Sequence, residues 1–487
     1  MKRLLCACVV LVACAVAASA QDWGGHYRMD VPGTVTGDLY LVPADANTTE
    51  FLLIVTNPAG DTIVYDSSAG PVALCDGSFV WRYPSEEINY SISFDLDPVN
   101  DEDIPMMGCI LVTESLLSEN PPYKTDLSPN GVYRRDDRCF VTPEGFMFRI
   151  NDDGGSCNLA CGGLYKETVI LPQSVKGPFG RYFRVAGIDS DAFRGAGEIN
   201  RLYLYDDSQL ISPGALIGTG VSFDWNANKP HFAYPDKGKT QVVVPGGAGF
   251  SLPASSSQWV IFKQNLAPAT QSDNTVGKAG KRDGRVDQDF RSTMGIFYTL
   301  QSSKEDIAKM FRGYNATEVE ALVANPWFVA QHTFPAFGRW KYPEKEVSAP
   351  NSIETAMSRR YGRPVMYSRK AAWLREGKGE LDIVEFEHAD HQAMVAFVWH
   401  AGGDILATCT LTTEIESEYA DYSVWNVDDD GRYGIPDVVT IAVDGTGAIT
   451  VFLAKNSPES ITCFALRQVG NSFQKVDLDQ WYRYVDL

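Results

Sequence analysis

The segment ETVILPQSVKGPFGRYFRVAGIDSDAFRGAGEINRLYLYDDSQLISPGALIGTGVSFDW (167–225) decides how this chain of 487 residues is read. Within it Ile188, Ala192 and Phe193 recur as Ile211, Ala215 and Leu216, a shift of 23 residues at all three positions. A fixed period in the twenties is a solenoid signal, because each coil leaves an apolar edge that only the next coil covers. Ile199, Leu202 and Leu204 supply the strand that follows the first Ala-Phe corner. Two coils are fewer than the three or so that a free-standing stack needs, so flanking hairpins are expected to cap them. EGFMFRINDDGGSCNLACGG (144–163) reads as such a hairpin.

Toward the N-terminus, residues 22–137 alternate short apolar runs with turn signals, as in GDLYLVPADANTTEFLLIVTNPAGDTIVYDS (37–67). This predicts a small antiparallel β barrel or sandwich over 21–138. Toward the C-terminus, NLAPATQSDNTVGKAGKRDGRVDQD (265–289) is polar and reads as a linker over 266–289 and a site of proteolysis. The last region, 290–487, opens with helical signals: Ser302 with Glu305 and Thr317 with Glu320 are spaced as capping boxes, and Ile307, Met310 and Phe311 share one helical face. Turn signals return at Pro343 and Pro350. Strand patterns then follow at 381–387, 392–400, 405–411, 437–443 and 448–454, with Ala401-Gly402-Gly403-Asp404 and Asp444-Gly445-Thr446-Gly447 as hairpin turns. The expected fold class is mainly β and multidomain, ending in an α+β domain, an antiparallel sheet with a helical insertion.

Residues 1–20, MKRLLCACVVLVACAVAASA, place Lys2 and Arg3 before an apolar run and Ala18-Ser19-Ala20 before Gln21, the pattern of a cleaved secretory signal. Leu11-Val12-Ala13-Cys14 also fits the box before a lipidated cysteine, which would put a lipid anchor at Cys14. No later stretch reaches the ~18 apolar residues of a membrane-spanning helix. The formal charge of −20 repels nucleic acid and anionic lipid and favours divalent cations. The expected location is therefore the cell surface, the periplasm or the medium.

The order Leu171-Pro172, Val185-x-x-Ile188 and Ala192-Phe193 resembles the BspA-like leucine-rich repeats of bacterial surface proteins, over about 139–265. TQVVVPGGAGFSLPASSSQWVIF (240–262) is similar to the strand, Val-Pro-Gly turn and Trp-x-x-Phe element that close such arrays. The sequence departs from the family at Ala196, where the corner cysteine would stand, and in its small number of coils. Gly25-His26-Tyr27 and Gly131-Val132-Tyr133-Arg134-Arg135 frame the N-terminal region in a way that resembles small secreted lipocalin-like barrels, and carry no ligand residues across. The repeat resemblance implies a secreted or cell-surface binding protein of adhesion type, with a protein or glycan ligand outside the cell. An exported enzyme or carbohydrate-processing accessory protein acting through 290–487 is the second reading, and a structural envelope component the third. Buried, mutually close carboxylates in a deep cleft would favour the enzyme, and a shallow exposed aromatic face would favour binding.

The sharpest local motif is NVDDDGRYGIPD (426–437). Asn426, Asp428 and Asp430 alternate along a loop, Gly431 permits its turn and Asp437 stands twelfth, a pattern that can supply the oxygens calcium needs. It departs from an EF-hand in its first and last ligands and in lacking flanking helices, and an acidic solvated hairpin is the other reading. His388, His391 and His400 raise zinc, against solvated turn histidines. Outside the signal there are seven cysteines, an odd number. Disulfides are expected as Cys75 with Cys109, two among Cys139, Cys157 and Cys161, and Cys409 with Cys463, with buried thiols as the alternative for the last pair. Tryptophans such as Trp225, Trp259, Trp340, Trp399, Trp425 and Trp481 are either core or a stacking platform for sugars. No nucleophile elbow, P-loop or dinucleotide fingerprint occurs.

Overall fold

A computed structural model describes residues 23–483, except 31–34, 84–89, 99–105, 117–126, 163–165, 236–239, 246–256, 273–284, 287–294, 313–320, 340–347, 415–435, 457–459 and a few isolated positions. The fold is mainly β, and the chain divides into two compact units, 1–222 and 223–487.

The first unit begins with β1 (Gly25–Asp30), β2 (Thr36–Pro43), β3 (Thr48–Thr56), β4 (Thr62–Asp66), β5 (Val72–Cys75), β6 (Ser78–Arg82), β7 (Tyr90–Asp95), β8 (Cys109–Leu116) and β9 (Gly131–Arg135). They form one antiparallel sheet in the order β2-β1-β9-β8-β7-β6-β5-β3-β4, and the additional pairing of β2 with β3 closes it into a barrel from which only β4 hangs. Alternation along the strands fills the interior with Leu39, Leu41, Phe51, Leu53, Phe79, Ile92 and Phe94. Each such side chain contributes about 1.5–3 kcal/mol by leaving water. Where the chain passes β9, the Tyr133 hydroxyl donates to the Pro129 carbonyl at 3.0 Å. Gly37 leaves the space for that ring, since a Cβ there would stand 2.4 Å from the phenol oxygen.

β2 and β3 read LYLV and FLLIV because both of their faces are buried. Their outward residues Tyr40, Val42, Leu52 and Ile54 pack with Cys139, Met147 and Cys161 of a second sheet, built from β10 (Cys139–Val141), β11 (Phe146–Ile150) and β12 (Ser156–Gly162). The expected 144–163 hairpin is β11–β12.

Next come β13 (Thr168–Ile170), β14 (Ser174–Lys176), β15 (Tyr182–Ile188), β16 (Arg201–Tyr203) and β17 (Leu210–Ile211). β15 runs parallel to β12 on one side and to β17 on the other, with Ile188 opposite Ile211. β13 runs parallel to β16. Ala192, Phe193, Ala196, Ala215 and Leu216 are all buried, as a repeating apolar edge requires. Of the expected strand residues, Leu202 lies buried in β16, Ile199 is buried just before it and Leu204 is half-buried after it.

The second unit holds a closed barrel of β18 (His231–Pro235), β19 (Gln241–Pro245), β20 (Ser257–Phe262), β21 (Asn265–Gln271), β23 (Gly295–Leu300) and β24 (Ala321–Ala324), with the short β22 (Arg285–Val286) outside it. Two boundaries differ from expectation. Segment 240–262 supplies β19 and β20 of this barrel, in the second unit, where a closing element of the first was expected. The expected linker begins with strand β21, whose polar sequence conceals the small buried residues Ala267 and Ala269 on its inner side. Ser303 rather than Ser302 caps the helix Lys304–Met310, its hydroxyl accepting the Asp306 N–H at 3.1 Å. Ile307, Met310 and Phe311 pack onto Val242, Val260 and Phe262 of the barrel. Thr317 and Glu320 lie outside the described residues.

The rest of the unit is an eleven-stranded sheet that includes β22 and β25 (His332–Thr333), β26 (Phe337–Arg339), β27 (Val365–Leu374), β28 (Glu380–Phe386), β29 (Gln392–Ala401), β30 (Asp404–Glu414), β31 (Asp437–Asp444), β32 (Ile449–Asn456), β33 (Ser460–Val469) and β34 (Ser472–Arg483). The Gly402-Gly403 turn has φ of 58° and 96°, the left-handed pair that a two-residue hairpin demands. Leu381, Phe397 and Trp399 pack against Ile441, Val451 and Phe464, so the two halves of the sheet share one core. The helix Asn351–Tyr361 covers the other side of β28 and β29 through Ile353 and Met357.

None of the expected disulfides forms: all seven described cysteines are free thiols. Strand geometry explains this. Cys75 in β5 and Cys109 in β8 are three strands apart, roughly 14 Å, and Cys157 and Cys161, four residues apart in extended β12, are roughly 13 Å apart. Cys139 in β10 is separated from both by β11, and Cys409 in β30 from Cys463 in β33 by β34, roughly 10 Å or more in each case. A disulfide tolerates no more than about 7 Å between Cα atoms.

The parallel stack can be tested at Gly187, where a Cβ would stand 2.2 Å from the Leu210 carbonyl oxygen. Gly187→Ala is expected to destabilise the chain by roughly 1–3 kcal/mol in denaturant unfolding, whereas Gly197→Ala, with 3.8 Å of clearance, shifts it by less than about 0.5 kcal/mol. Equal effects would place β17 elsewhere.

Candidate functional site

Of the proposed calcium ligands, Asn426, Asp428 and Asp430 lie outside the described residues, and Asp437 opens β31, half-buried and opposite Ala454. His388 and His391 occupy the turn between β28 and β29, as expected, with His391 exposed at φ 56°. His400 is instead buried in β29, so the three histidines form no common site. Trp225, Trp399 and Trp481 are core residues and Trp259 is half-buried, while Trp340 and Trp425 lie outside the described residues.

The first unit carries an apolar surface that sequence reasoning did not single out. Ile170 and Tyr203 stand opposite each other on the parallel pair β13–β16 and are 67% and 52% exposed. Tyr205 follows at 57%, and Tyr182, at the start of β15, is 67% exposed. Ile170 also lines a hollow of about 570 Å³ whose walls include Pro172, Phe146, Glu144 and Lys176. Arg181, Arg184 and Arg201 neighbour these tyrosines in sequence. Aromatic and arginine side chains on a shallow surface are the composition of binding hot spots.

Beside the hollow, Lys166 lies 3.9 Å above the Phe146 ring and donates to the Glu144 carbonyl. Its charge opposes, without cancelling, the burial that pushes the Glu50 carboxyl up to about 7.

Two polar clusters are enclosed by the fold. In the second unit Lys370 Nζ meets Glu380 Oε2 at 2.6 Å, and His400 Nε2 meets Asp382 Oδ2 at 2.8 Å and Glu380 Oε2 at 3.9 Å. The strands set this up, with Glu380 opposite His400 and Lys370 opposite Asp382 in adjacent pairings. Asp382 Oδ1 and His400 Nδ1 have no partner among the described residues. Asp382 is 0% and His400 3% exposed, so the Asp382 carboxylate meets no substrate unless the sheet opens, whereas Glu380 is 32% exposed. In the first unit His26 Nε2 donates to Asp38 Oδ1 at 2.8 Å, and His26 Nδ1 faces Asp136 Oδ2 at 3.6 Å and Cys139 Sγ at 3.9 Å. Burial works to raise the Asp38 carboxyl, yet the His26 hydrogen bond and the nearby His26, Arg28 and Arg149 charges bring it below its ordinary value.

A hollow of about 540 Å³ in the second unit is lined by Lys263, Lys309, Arg312, Arg339 and Arg375. Lys263 projects from the β20–β21 turn at φ 58°, and Arg339 donates to the Val438 carbonyl at 3.0 Å. Such a concentration of positive charge draws anions in a chain that is otherwise strongly acidic.

Neither protein-family models, curated proteins nor solved structures match the chain.

Because its folded pKa lies above the ordinary value of 4.5, Glu50 gives up stability as pH rises from about 4.5 to about 7. Glu50→Gln is therefore expected to raise the melting temperature at pH 8, worth roughly 1–3 kcal/mol, and to leave it unchanged at pH 4. An equal gain at both pH values would show that the carboxyl is not titrating in this window.

Proposed function

We propose that this chain is an exported or cell-surface binding protein, and that the face around Ile170, Tyr182, Tyr203 and Tyr205 engages a protein or glycan outside the cell. The observation that carries the reading is the exposure of these four large side chains, more than half of each, one of which, Ile170, also lines a hollow wide enough for a protruding side chain or sugar ring. Tyrosine suits such work because it supplies a rigid, amphipathic contact at low entropic expense. The N-terminal signal pattern supports export. The pairing of Ile188 with Ile211 at the repeat distance supports reading β12, β15 and β17 as coils of the BspA-like leucine-rich kind, a scaffold that presents side chains on its flanks. Calcium bound at Asn426, Asp428, Asp430 and Asp437 would rigidify the loop before β31.

The second reading, an exported enzyme or carbohydrate-processing accessory protein acting through 290–487, draws its support from the cation-lined hollow at Lys309, Arg312, Arg339 and Arg375, which suits an anionic ligand. The burial of Asp382 and His400 weighs against a paired-carboxylate site there, since only Glu380 of that cluster is open to a substrate.

The test is a glycan and extracellular-protein array probed with the purified chain and with the Tyr182→Ser, Tyr203→Ser, Tyr205→Ser triple variant. Binding is expected to fall at least ~10-fold in the variant with an unchanged melting temperature. Retained binding would remove the face from the function. Calorimetric titration of the full chain with calcium is expected to release or absorb heat and raise the melting temperature, and the absence of both would dismiss the loop as a calcium site.

A further inference from the structure

We propose that His26, Asp136 and Cys139 form a zinc site with three protein ligands and one open position. The three residues reach one point from different elements: His26 from the outward face of β1, Asp136 from just beyond β9, and Cys139 from the start of β10. β1 and β9 are neighbours, and the Asp136 N–H donates to the His26 carbonyl at 2.7 Å, which locks the two backbones together. One ligand atom from each residue lies within 4.8 Å of the other two. Zinc bonds of about 2.0–2.3 Å in a tetrahedron put neighbouring ligand atoms about 3.3–3.6 Å apart. The observed 3.6 Å from His26 Nδ1 to Asp136 Oδ2 and 3.9 Å to Cys139 Sγ need a contraction of only a few tenths of an ångström.

The supporting shell is in place. His26 Nε2 donates its N–H to the Asp38 carboxylate, which leaves the Nδ1 lone pair aimed at the cluster, the carboxylate–histidine arrangement that orients metal-binding imidazoles. Tyr40 stacks on the imidazole at 4.3 Å between ring centroids and fixes its plane. The Arg138 N–H donates to Asp136 Oδ1 at 3.0 Å, holding that oxygen away and leaving Oδ2 for the site. Arg149, which also hydrogen-bonds Cys139, is held by Asp189 at 3.0 Å and by the Tyr40 hydroxyl. A nitrogen, a thiolate and a single carboxylate oxygen suit zinc and do not suit calcium, which takes an all-oxygen shell. Of the three ligands, Asp136 alone lines a hollow of about 650 Å³ with Arg28, Arg134 and Arg138, the side from which water or an anion would fill the open position. On binding, the Cys139 thiol releases its proton to solvent as the S–Zn bond forms.

The test uses the full chain, stripped with a chelator, then titrated with zinc by calorimetry and with cobalt(II) by absorption. About one equivalent of zinc is expected at this site, and cobalt is expected to produce a thiolate charge-transfer band in the near ultraviolet. Cys139→Ser removes the band, while Cys75→Ser, at an exposed thiol, leaves it intact. Asp38→Asn, a substitution at a partly exposed residue that is not itself a ligand, weakens zinc binding ~10–100-fold and keeps the test valid if Cys139→Ser does not fold. No saturable zinc binding, or a charge-transfer band that survives in folded Cys139→Ser, would overturn the site and leave His26 as a structural side chain held between Asp38 and Asp136.

Discussion

Two strands that are apolar on both faces govern the first unit. β2 and β3 cannot leave Tyr40, Val42, Leu52 and Ile54 in water, and the barrel closed around Leu39 and Phe51 has no further interior to offer them. Burying four such side chains is worth several kcal/mol in total, comparable with the whole stability of a typical domain. The barrel is therefore completed only when the β10–β12 sheet lies on it, bringing Met147, Cys139 and Cys161 to that surface.

The unit's polar chemistry follows from that contact. His26 points out of the barrel and would be a surface histidine if β10 did not cover it, and the same covering brings Cys139 to it. β12 in turn offers its free edge to β15, and β15 to β17, so the parallel strands grow from a sheet that the barrel has already anchored. The short parallel stack thus begins on a hairpin fixed elsewhere. The exposed tyrosines Tyr182, Tyr203 and Tyr205 sit on this later part of the unit and belong to none of the barrel's core clusters.

Much of this architecture was legible in the sequence. Alternation over 22–137 marked a small antiparallel barrel or sandwich, five of the eleven strands of the large sheet (β28 to β32) were located, and the 23-residue recurrence of Ile188 at Ile211 anticipated the parallel pairing of β15 with β17. The polar composition of 265–271 concealed β21, because its core contacts are made by alanines, whose burial leaves little trace in hydrophobicity. The helix Asn351–Tyr361 carried its signals openly, Pro350 before it, Gly362 in the left-handed conformation after it and Ile353 with Met357 on one face, yet it sits where prolines also signal turns. The polar clusters were not legible at all. His26 is separated from Asp136 and Cys139 by about 110 residues of barrel, and only the closure of β1 on β9 joins them. The framing residues Gly25-His26-Tyr27 and Arg134-Arg135 marked the place without revealing its chemistry.

Thiol reactivity measures the central contact most directly. In the native chain, labelling by a thiol reagent followed by mass spectrometry should modify exposed Cys75 rapidly, while Cys139 and Cys161 react only as fast as the first unit unfolds. Labelling of Cys139 and Cys161 at the rate of Cys75, with the barrel still folded by circular dichroism, would mean that the β10–β12 sheet does not lie on β2 and β3, and that the first unit is held together in some other way.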